Sequence, residues 1–242
     1  MTYIFAHRGS SGTHPENTME AFAAAEKAGA DGIELDVQLS ADGEVIVIHD
    51  ETVDRTTNGK GFVQGHTVKE LKCLNANYKF KSIFHKARIP MLREVFDWLL
   101  GNQLICNIEL KNTAMPYEGM EEKVLSLIAA YGLEKRVILS SFNHASLVLC
   151  KKLAPWVEIA PLYRDGLYMP WVYARSLEAG GIHPKLRAVN RNVIEKAMEY
   201  GVAVRPYTVN KEKDMKKLFL LNCSAIITDY PKKAVQLRER CI

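Results

Sequence analysis

Long apolar runs are missing from this sequence. No stretch approaches the ~20 consecutive apolar residues of a membrane-spanning helix, so stable membrane insertion is not expected. A disulfide pattern is missing as well. The five cysteines (Cys73, Cys106, Cys150, Cys223 and Cys241) are odd in number and widely spaced, with no CxxC pair. That excludes a disulfide framework and points to a reducing compartment. The opening residues, Met1 to Arg8, show no basic leader and only a short apolar run, unlike a secretory signal. A cytoplasmic location is therefore the expectation. A large charge excess is absent too: 32 basic against 28 acidic residues leave a net +4. This is too small and too dispersed for a nucleic-acid partner, although it favours an anionic small ligand. Finally, the turn after the first strand-like run reads His7-Arg8-Gly9-Ser10-Ser11-Gly12, which is not the GxGxxG of a dinucleotide fold.

What is present is an ordinary globular composition, 48% apolar and 25% charged over 242 residues. A chain of this length supplies a sizeable core, and residues 1–242 are read as one domain. Strand-like runs are expected at 3–6, 33–39, 104–110, 137–140, 157–162, 186–189, 202–209 and 225–228. Helical runs separate nearly all of them. Asn17 is the expected N-cap of the first helix, over 17–28, with Glu20 at its capping-box position. Eight alternating β/α units predict a (β/α)8 barrel, the TIM-barrel architecture. A further strand over 44–48 follows 33–39 after only Ser40-Ala41-Asp42-Gly43. Four residues are too few for a parallel crossover, so the pair must be an antiparallel β-hairpin. Residues 50–90 carry scattered Gly, Lys, Asn and Thr and read as a small insertion with little regular structure, of the kind that often serves as a lid.

In such a barrel the strand C-termini face the active site. Glu34 and Asp36 are the most informative pair, because i and i+2 on a strand share a face about 7 Å apart. The flanking Ile33, Leu35 and Val37 point the other way, toward the helices. Glu109 on the adjacent strand adds a third carboxylate. Three carboxylates suit a hard divalent cation, Mg2+ or Ca2+. The alternative is a structural ion network with Arg8 and Lys111. His7 ends the first strand, and His49 ends the hairpin nearly opposite Glu34 and Leu35. Both are placed for acid–base chemistry, with ligation of a softer metal such as Zn2+ as the other option. Arg8 and Lys111 supply phosphate-binding charge on the same face. Glu16 sits at the mouth of the first helix, either favouring its dipole or joining the site. Phe142 and Tyr207 line an apolar wall for an alcohol or belong to the barrel core. One cation, two histidines and two basic side chains are what hydrolysis at a phosphodiester needs, and a barrel isomerase would use similar parts.

These residues fall in a set of motifs. They are His7-Arg8-Gly9, Pro15-Glu16-Asn17-Thr18, Glu34-Leu35-Asp36-Val37, Asp42-Gly43, Val47-Ile48-His49-Asp50 and Arg55-Thr56-Thr57-Asn58-Gly59. Ile89-Pro90, Asn107-Ile108-Glu109-Leu110-Lys111, Ser140-Ser141-Phe142, Tyr207-Thr208-Val209-Asn210 and Thr228-Asp229-Tyr230-Pro231 complete it. In this order, over nearly the whole chain, they resemble the bacterial glycerophosphodiester phosphodiesterases, a branch of the phosphatidylinositol-phospholipase-C-like TIM barrels. The resemblance implies a divalent metal on Glu34, Asp36 and Glu109 with Glu16 close by. It implies His7 and His49 as the acid–base pair, and Arg8 and Lys111 as phosphate contacts. It also implies hydrolysis of a small-molecule glycerophosphodiester to sn-glycerol 3-phosphate and an alcohol, a role in lipid and glycerol metabolism, and an insertion partly covering the site. Tyr207 departs from the tryptophan many members carry before Thr-Val-Asn, which bears on alcohol preference. Two other readings use the same fold. One is a non-catalytic phosphodiester-binding module, although the catalytic set here is complete. The other is a phospholipase touching lipid through Phe62, Leu71, Leu74, Tyr78, Phe80 and Phe84 of the insertion. Nothing in the sequence speaks to oligomeric state.

Overall fold

A computed structural model describes residues 1–77, 80 and 86–241. Tyr78, Phe84 and His85 lie outside the described residues. The chain opens with β1 (Tyr3–His7), α1 (Met19–Lys27), β2 (Gly32–Leu39) and β3 (Val45–Val47). Within the insertion comes α2 (Val68–Cys73), followed by α3 (Leu92–Leu99), β4 (Ile105–Leu110) and α4 (Met120–Ala130). Next are β5 (Val137–Ser141), α5 (His144–Leu153), β6 (Glu158–Tyr163), α6 (Pro170–Ser176) and β7 (Gly181–Pro184). The series ends with α7 (Arg191–Glu199), β8 (Ala203–Val204), α8 (Glu212–Leu220), β9 (Ala225–Thr228) and α9 (Pro231–Cys241).

The strands lie in the order β8-β7-β6-β5-β4-β2-β1-β9, with β3 off this path beside β2. Every pairing except β2 with β3 is parallel. The two ends of the sheet meet through Val209 N donating to Ile227 O (2.8 Å) and Ile227 N donating to Pro206 O (3.0 Å). The result is a nearly closed barrel of eight parallel strands, as the alternation predicts. The hairpin is also as expected: Val37 pairs with Val47 and Leu39 with Val45 around the tight Ser40–Gly43 turn.

Strand alternation divides the core in two. Outward residues such as Ile33, Leu35 and Val37 of β2 pack with Phe22, Val95 and Phe96 under the helices. Inward residues Phe5, Ile138, Ala160 and Ile227 fill the barrel itself. Gly32 belongs to that inner layer. A Cβ there would stand 2.6 Å from the Ile105 carbonyl oxygen and 2.9 Å from the Phe5 ring. Only glycine lets Phe5 fill the barrel at that level.

Three local expectations are revised. The strand expected at 186–189 is a short 3-10 turn, Leu186–Ala188, and β7 lies earlier, at Gly181–Pro184. The strand expected over 202–209 keeps regular pairing only at Ala203–Val204, and Pro206 has no N–H to continue a ladder. The insertion is more ordered than its composition suggests. Thr67 caps α2 in a reciprocal capping box with Glu70, and Leu71, Val53 and Val63 pack with Ile46, Ile48 and Ile89 as a small second core. Leu71 is therefore occupied inside the protein, whereas Phe62 is exposed. No helix among the described residues is long and apolar enough to cross a membrane.

Candidate active site

The turn after β1 builds the first wall of the site. Gly9 has φ +75°, and a Cβ there would lie 2.6 Å from the Ala21 backbone. A side chain fits neither the conformation nor the space. The tight turn brings Arg8 N within 2.8 Å of Glu34 Oε2, to which it donates. The expected cap of α1 shifts by one residue: Thr18, not Asn17, accepts from Ala21 N. Asn17 is drawn instead to the buried carboxylate of Asp36, donating from Nδ2 to Oδ2 at 2.8 Å.

Glu34 and Asp36 project from β2 into the barrel mouth, and Asp36 pairs in register with Glu109 of β4. Carboxylate oxygens of Glu34, Asp36 and Glu109 all lie within 4.8 Å of one another. Burial and the charges of Asp36 and Glu109 push the Glu34 carboxyl well above its usual range. Burial and Asp36 push Glu109 up as well. Burial would also raise Asp36, but Arg8, His49 and Lys111 together hold it below the ordinary value. Asp36 Oδ1 is buried without a hydrogen-bond partner, with Lys111 Nζ 4.0 Å away. Such an orphan beside two mutually repelling acids is what a hard cation would satisfy, so the donor set fits Mg2+ or Ca2+.

Each of the two histidines at the mouth is held the same way. His7 Nδ1 lies 2.6 Å from Asp229 Oδ1, and His49 Nδ1 lies 2.6 Å from Asp50 Oδ1. Asp229 is fixed in turn by Ser11 Oγ (3.1 Å) and Asn210 Nδ2 (2.6 Å). Burial opposes ionisation of Asp229 and of Asp50, yet hydrogen bonds and charge from their partners hold both carboxyls below the usual range. An ionised carboxylate on Nδ1 fixes the proton there and leaves Nε2 as the nitrogen that can accept one. His7 and His49 remain partly open, with 18% and 28% of the side chain accessible.

The basic residues are tied into this frame. Arg8 Nη1 donates to Glu16 Oε1 (2.8 Å), and its Nε lies 3.2 Å from Asp36 Oδ2. Lys111 Nζ donates to Glu109 Oε1 (2.8 Å) and lies 3.1 Å from His49 Nε2. Burial would lower the Lys111 ammonium, but Glu109 and Asp36 raise it, so it stays charged. Arg55, from the insertion, bridges Asp50 (2.6 Å) and Glu16 (2.7 Å). Glu16 therefore joins the site through Arg8 and Arg55. The ion network and the cation cradle weighed as alternatives occupy the same residues. Phe142 and Tyr207 meet edge to face at 6.2 Å beside the mouth. The contacts of Asp229, Asp50, Asn17 and Arg55 at the mouth go beyond what the sequence predicts. Asp50 has a signal in its adjacency to His49. Asp229 has one in its place at the end of the last expected strand, 225–228, although its pairing with His7 lies 222 positions away in sequence.

Comparison with known proteins bears directly on this arrangement. The model of the glycerophosphoryl diester phosphodiesterase family matches residues 7–233, a span that runs from the first of these histidines past Asp229. The chain belongs to that family. It thereby belongs to the phosphoric diester hydrolases, as the resemblance implies. A glycerophosphodiester phosphodiesterase of Caldanaerobacter subterraneus subsp. tengcongensis is 46% identical over 236 residues, covering 98% of this chain and 97% of that one. One from Bacillus altitudinis is 45% identical over 242 residues, covering 99% of each. Among family structures, the glycerophosphodiester phosphodiesterase of Agrobacterium tumefaciens is 30% identical, with a TM-score of 0.84 over 99% of this chain and 100% of that one. A phosphodiesterase of Oleispira antarctica, solved in complex with the product sn-glycerol-3-phosphate, is 29% identical with a TM-score of 0.87, covering 99% and 97%.

Proposed function

We propose that this chain hydrolyses small glycerophosphodiesters to sn-glycerol 3-phosphate and an alcohol, using a divalent cation held by Glu34, Asp36 and Glu109 and the acid–base pair His7 and His49. The observation that carries the reading is the pair of carboxylate-backed imidazoles flanking a buried acidic trio. The charge balance supports it. Six carboxylates (Glu16, Glu34, Asp36, Asp50, Glu109 and Asp229) face three permanent cations (Arg8, Arg55 and Lys111) at the mouth. Left so, the site repels a phosphodiester anion. A divalent ion held there, Mg2+ or Ca2+, would offset most of that excess and would supply a positive centre for the charge that grows on the phosphoryl oxygens during attack.

The residues of the chain do the rest. Arg8 and Lys111 grip the phosphate oxygens, exchanging part of their carboxylate pairing for the substrate. One imidazole takes the proton of the attacking oxygen at Nε2. The other delivers a proton to the departing alcohol oxygen, and Asp50 and Asp229 steady both rings as their charge changes. The attacking oxygen is either the substrate's own 2-hydroxyl, which gives a cyclic phosphate for water to open, or water itself. Phe142 and Tyr207 form the wall against the alcohol. The products would place the enzyme in lipid and glycerol metabolism, and the free thiols Cys73, Cys106, Cys150 and Cys223 suit a reducing compartment such as the cytoplasm.

The test is release of sn-glycerol 3-phosphate from a panel of glycerophosphodiesters, before chelation, after it, and after each ion is restored. Release that disappears with chelator and returns with Mg2+ or Ca2+ is expected, and phosphorus NMR during turnover reads out any cyclic phosphate. Full activity in chelator would sink the metal assignment, and inactivity on every diester would sink the function.

A further inference from the structure

A cleft of about 270 Å³ opens beside the acidic trio, with Glu109 and Lys111 at its inner end and Glu51, Phe142 and Arg164 on its walls. Its two outer charges are unusual in their pairing. Arg164 lies over the face of Phe142, with its guanidinium carbon 5.0 Å from the ring centroid. Phe142 is braced edge-on by Tyr207, whose hydroxyl donates to the Tyr163 carbonyl (3.2 Å). The neighbouring carboxylate that would neutralise Arg164 is already taken, because Asp165 pairs with Arg187 at 2.7 Å. Arg187 also holds the Arg164 carbonyl oxygen through Nε (3.2 Å). Arg164 is thus positioned and has no ion-pair partner among the described residues. The same is true of the Glu51 carboxylate, and the two are not paired with each other.

Opposite charges facing one small cleft without joining are complementary to a ligand that carries both signs. The glycerol arm of the substrate carries neither. An alcohol bearing only an ammonium is attracted by Glu51 and repelled by Arg164, and one bearing only a carboxylate meets the reverse. A quaternary ammonium finds the Phe142 face already covered by a cation. Resting on the function proposed above, we infer that this cleft receives the leaving alcohol and that Glu51 and Arg164 select a zwitterionic, amino-acid-like head group, Glu51 taking its ammonium and Arg164 its carboxylate.

The test compares kcat/KM for glycerophosphoserine, glycerophosphoethanolamine and glycerophosphoglycerol in the wild-type metal-loaded enzyme, Arg164→Ala and Glu51→Gln. Both residues border solvent, so both variants are expected to fold. Arg164→Ala is expected to lower the serine-to-glycerol ratio about fivefold, the scale of one partly screened charge pair, and to raise the ethanolamine-to-glycerol ratio. Glu51→Gln is expected to lower both ratios. The inhibition constant of O-phosphoserine should rise in both variants, which reads the same contacts without turnover. Equal slowing of all three diesters by Arg164→Ala would place the shared glycerol arm in the cleft and overturn the inference. So would ratios that neither variant moves. A wild-type enzyme inert to all three would remove the proposed function and this inference with it.

Discussion

The two ends of the barrel handle charge in opposite ways. At the N-terminal end, the charged groups are paired or hydrogen-bonded and closed off. Arg238 of α9 donates to Thr2 O at 2.9 Å and pairs with Asp31 at 2.5 Å, while Asp31 also accepts from Ile4 N at 2.7 Å. Arg136 likewise donates to Leu104 O at 2.8 Å and to Asn102 Oδ1 at 3.2 Å. At the C-terminal mouth, carboxylates outnumber cations, an Asp36 oxygen is orphaned, and Glu34 and Glu109 are pushed toward protonation by burial and their neighbours. The closed end holds strands and the final helix together. The open end keeps an unbalanced field, which on the proposed reading a divalent ion and an anionic substrate would complete. The proposed function thereby assigns stability and chemistry to different ends of the same strands.

Substitutions at the two ends should separate those properties. The largest effect is expected at the mouth: His7→Ala and His49→Ala should each cost at least ~100-fold in turnover, the usual scale of a lost acid or base. Their unfolding midpoints should stay near wild type. Substantial activity in both single variants would break the assignment of chemistry to this end. At the other end, Asp31→Ala strands the Arg238 guanidinium and is expected to cost about 2 kcal/mol in urea unfolding, with turnover per folded molecule unchanged. Unchanged stability there would erase the contrast.

A smaller effect sharpens the picture inside the barrel. His183 of β7 is buried with Nδ1 unpartnered, and burial, aided by the Arg205 charge, holds its imidazole well below the ordinary value. The folded state therefore keeps His183 neutral at pH values where the unfolded chain binds a proton. Its contribution to stability is complete above the unfolded pKa of about 6.5 and declines as pH falls below it. Between pH 7.5 and 5.5 the wild type should lose more stability than His183→Asn, by at most about 1.4 kcal/mol. Equal losses in denaturation at the two pH values would count against a buried neutral imidazole.

Much of this layout was legible in advance, for identifiable reasons. The Glu34–Asp36 spacing on an otherwise apolar strand directs two acids inward, and a four-residue loop forces the hairpin that delivers His49. Periodicity failed at β7 and β8. Gly181-Ile182-His183-Pro184 has no alternation to detect, whereas Leu186 to Val189 has the apolar look of a strand but folds as a turn just after Pro184. Asn17 looked like a helix cap because its neighbourhood is a helix start, and only the buried carboxylate across the barrel explains where its amide goes. The Asp229 support for His7 follows from the closure the barrel implies, which brings β9 beside β1, but no local pattern says which of the mouth residues Asp229 will meet.

Arg55 has a consequence for anyone who would shorten this chain. It belongs to the insertion, yet it clasps Asp50 and Glu16, the first of which steadies His49 and the second of which steadies Arg8. Splicing Ile48 directly to Pro90 would leave the eight parallel strands intact on paper while deleting His49, its backing carboxylate and the clasp together. The excursion between those points is therefore not ornament that a minimal scaffold can shed, and a trimmed barrel would inherit the architecture without one of the two imidazoles proposed to act in it.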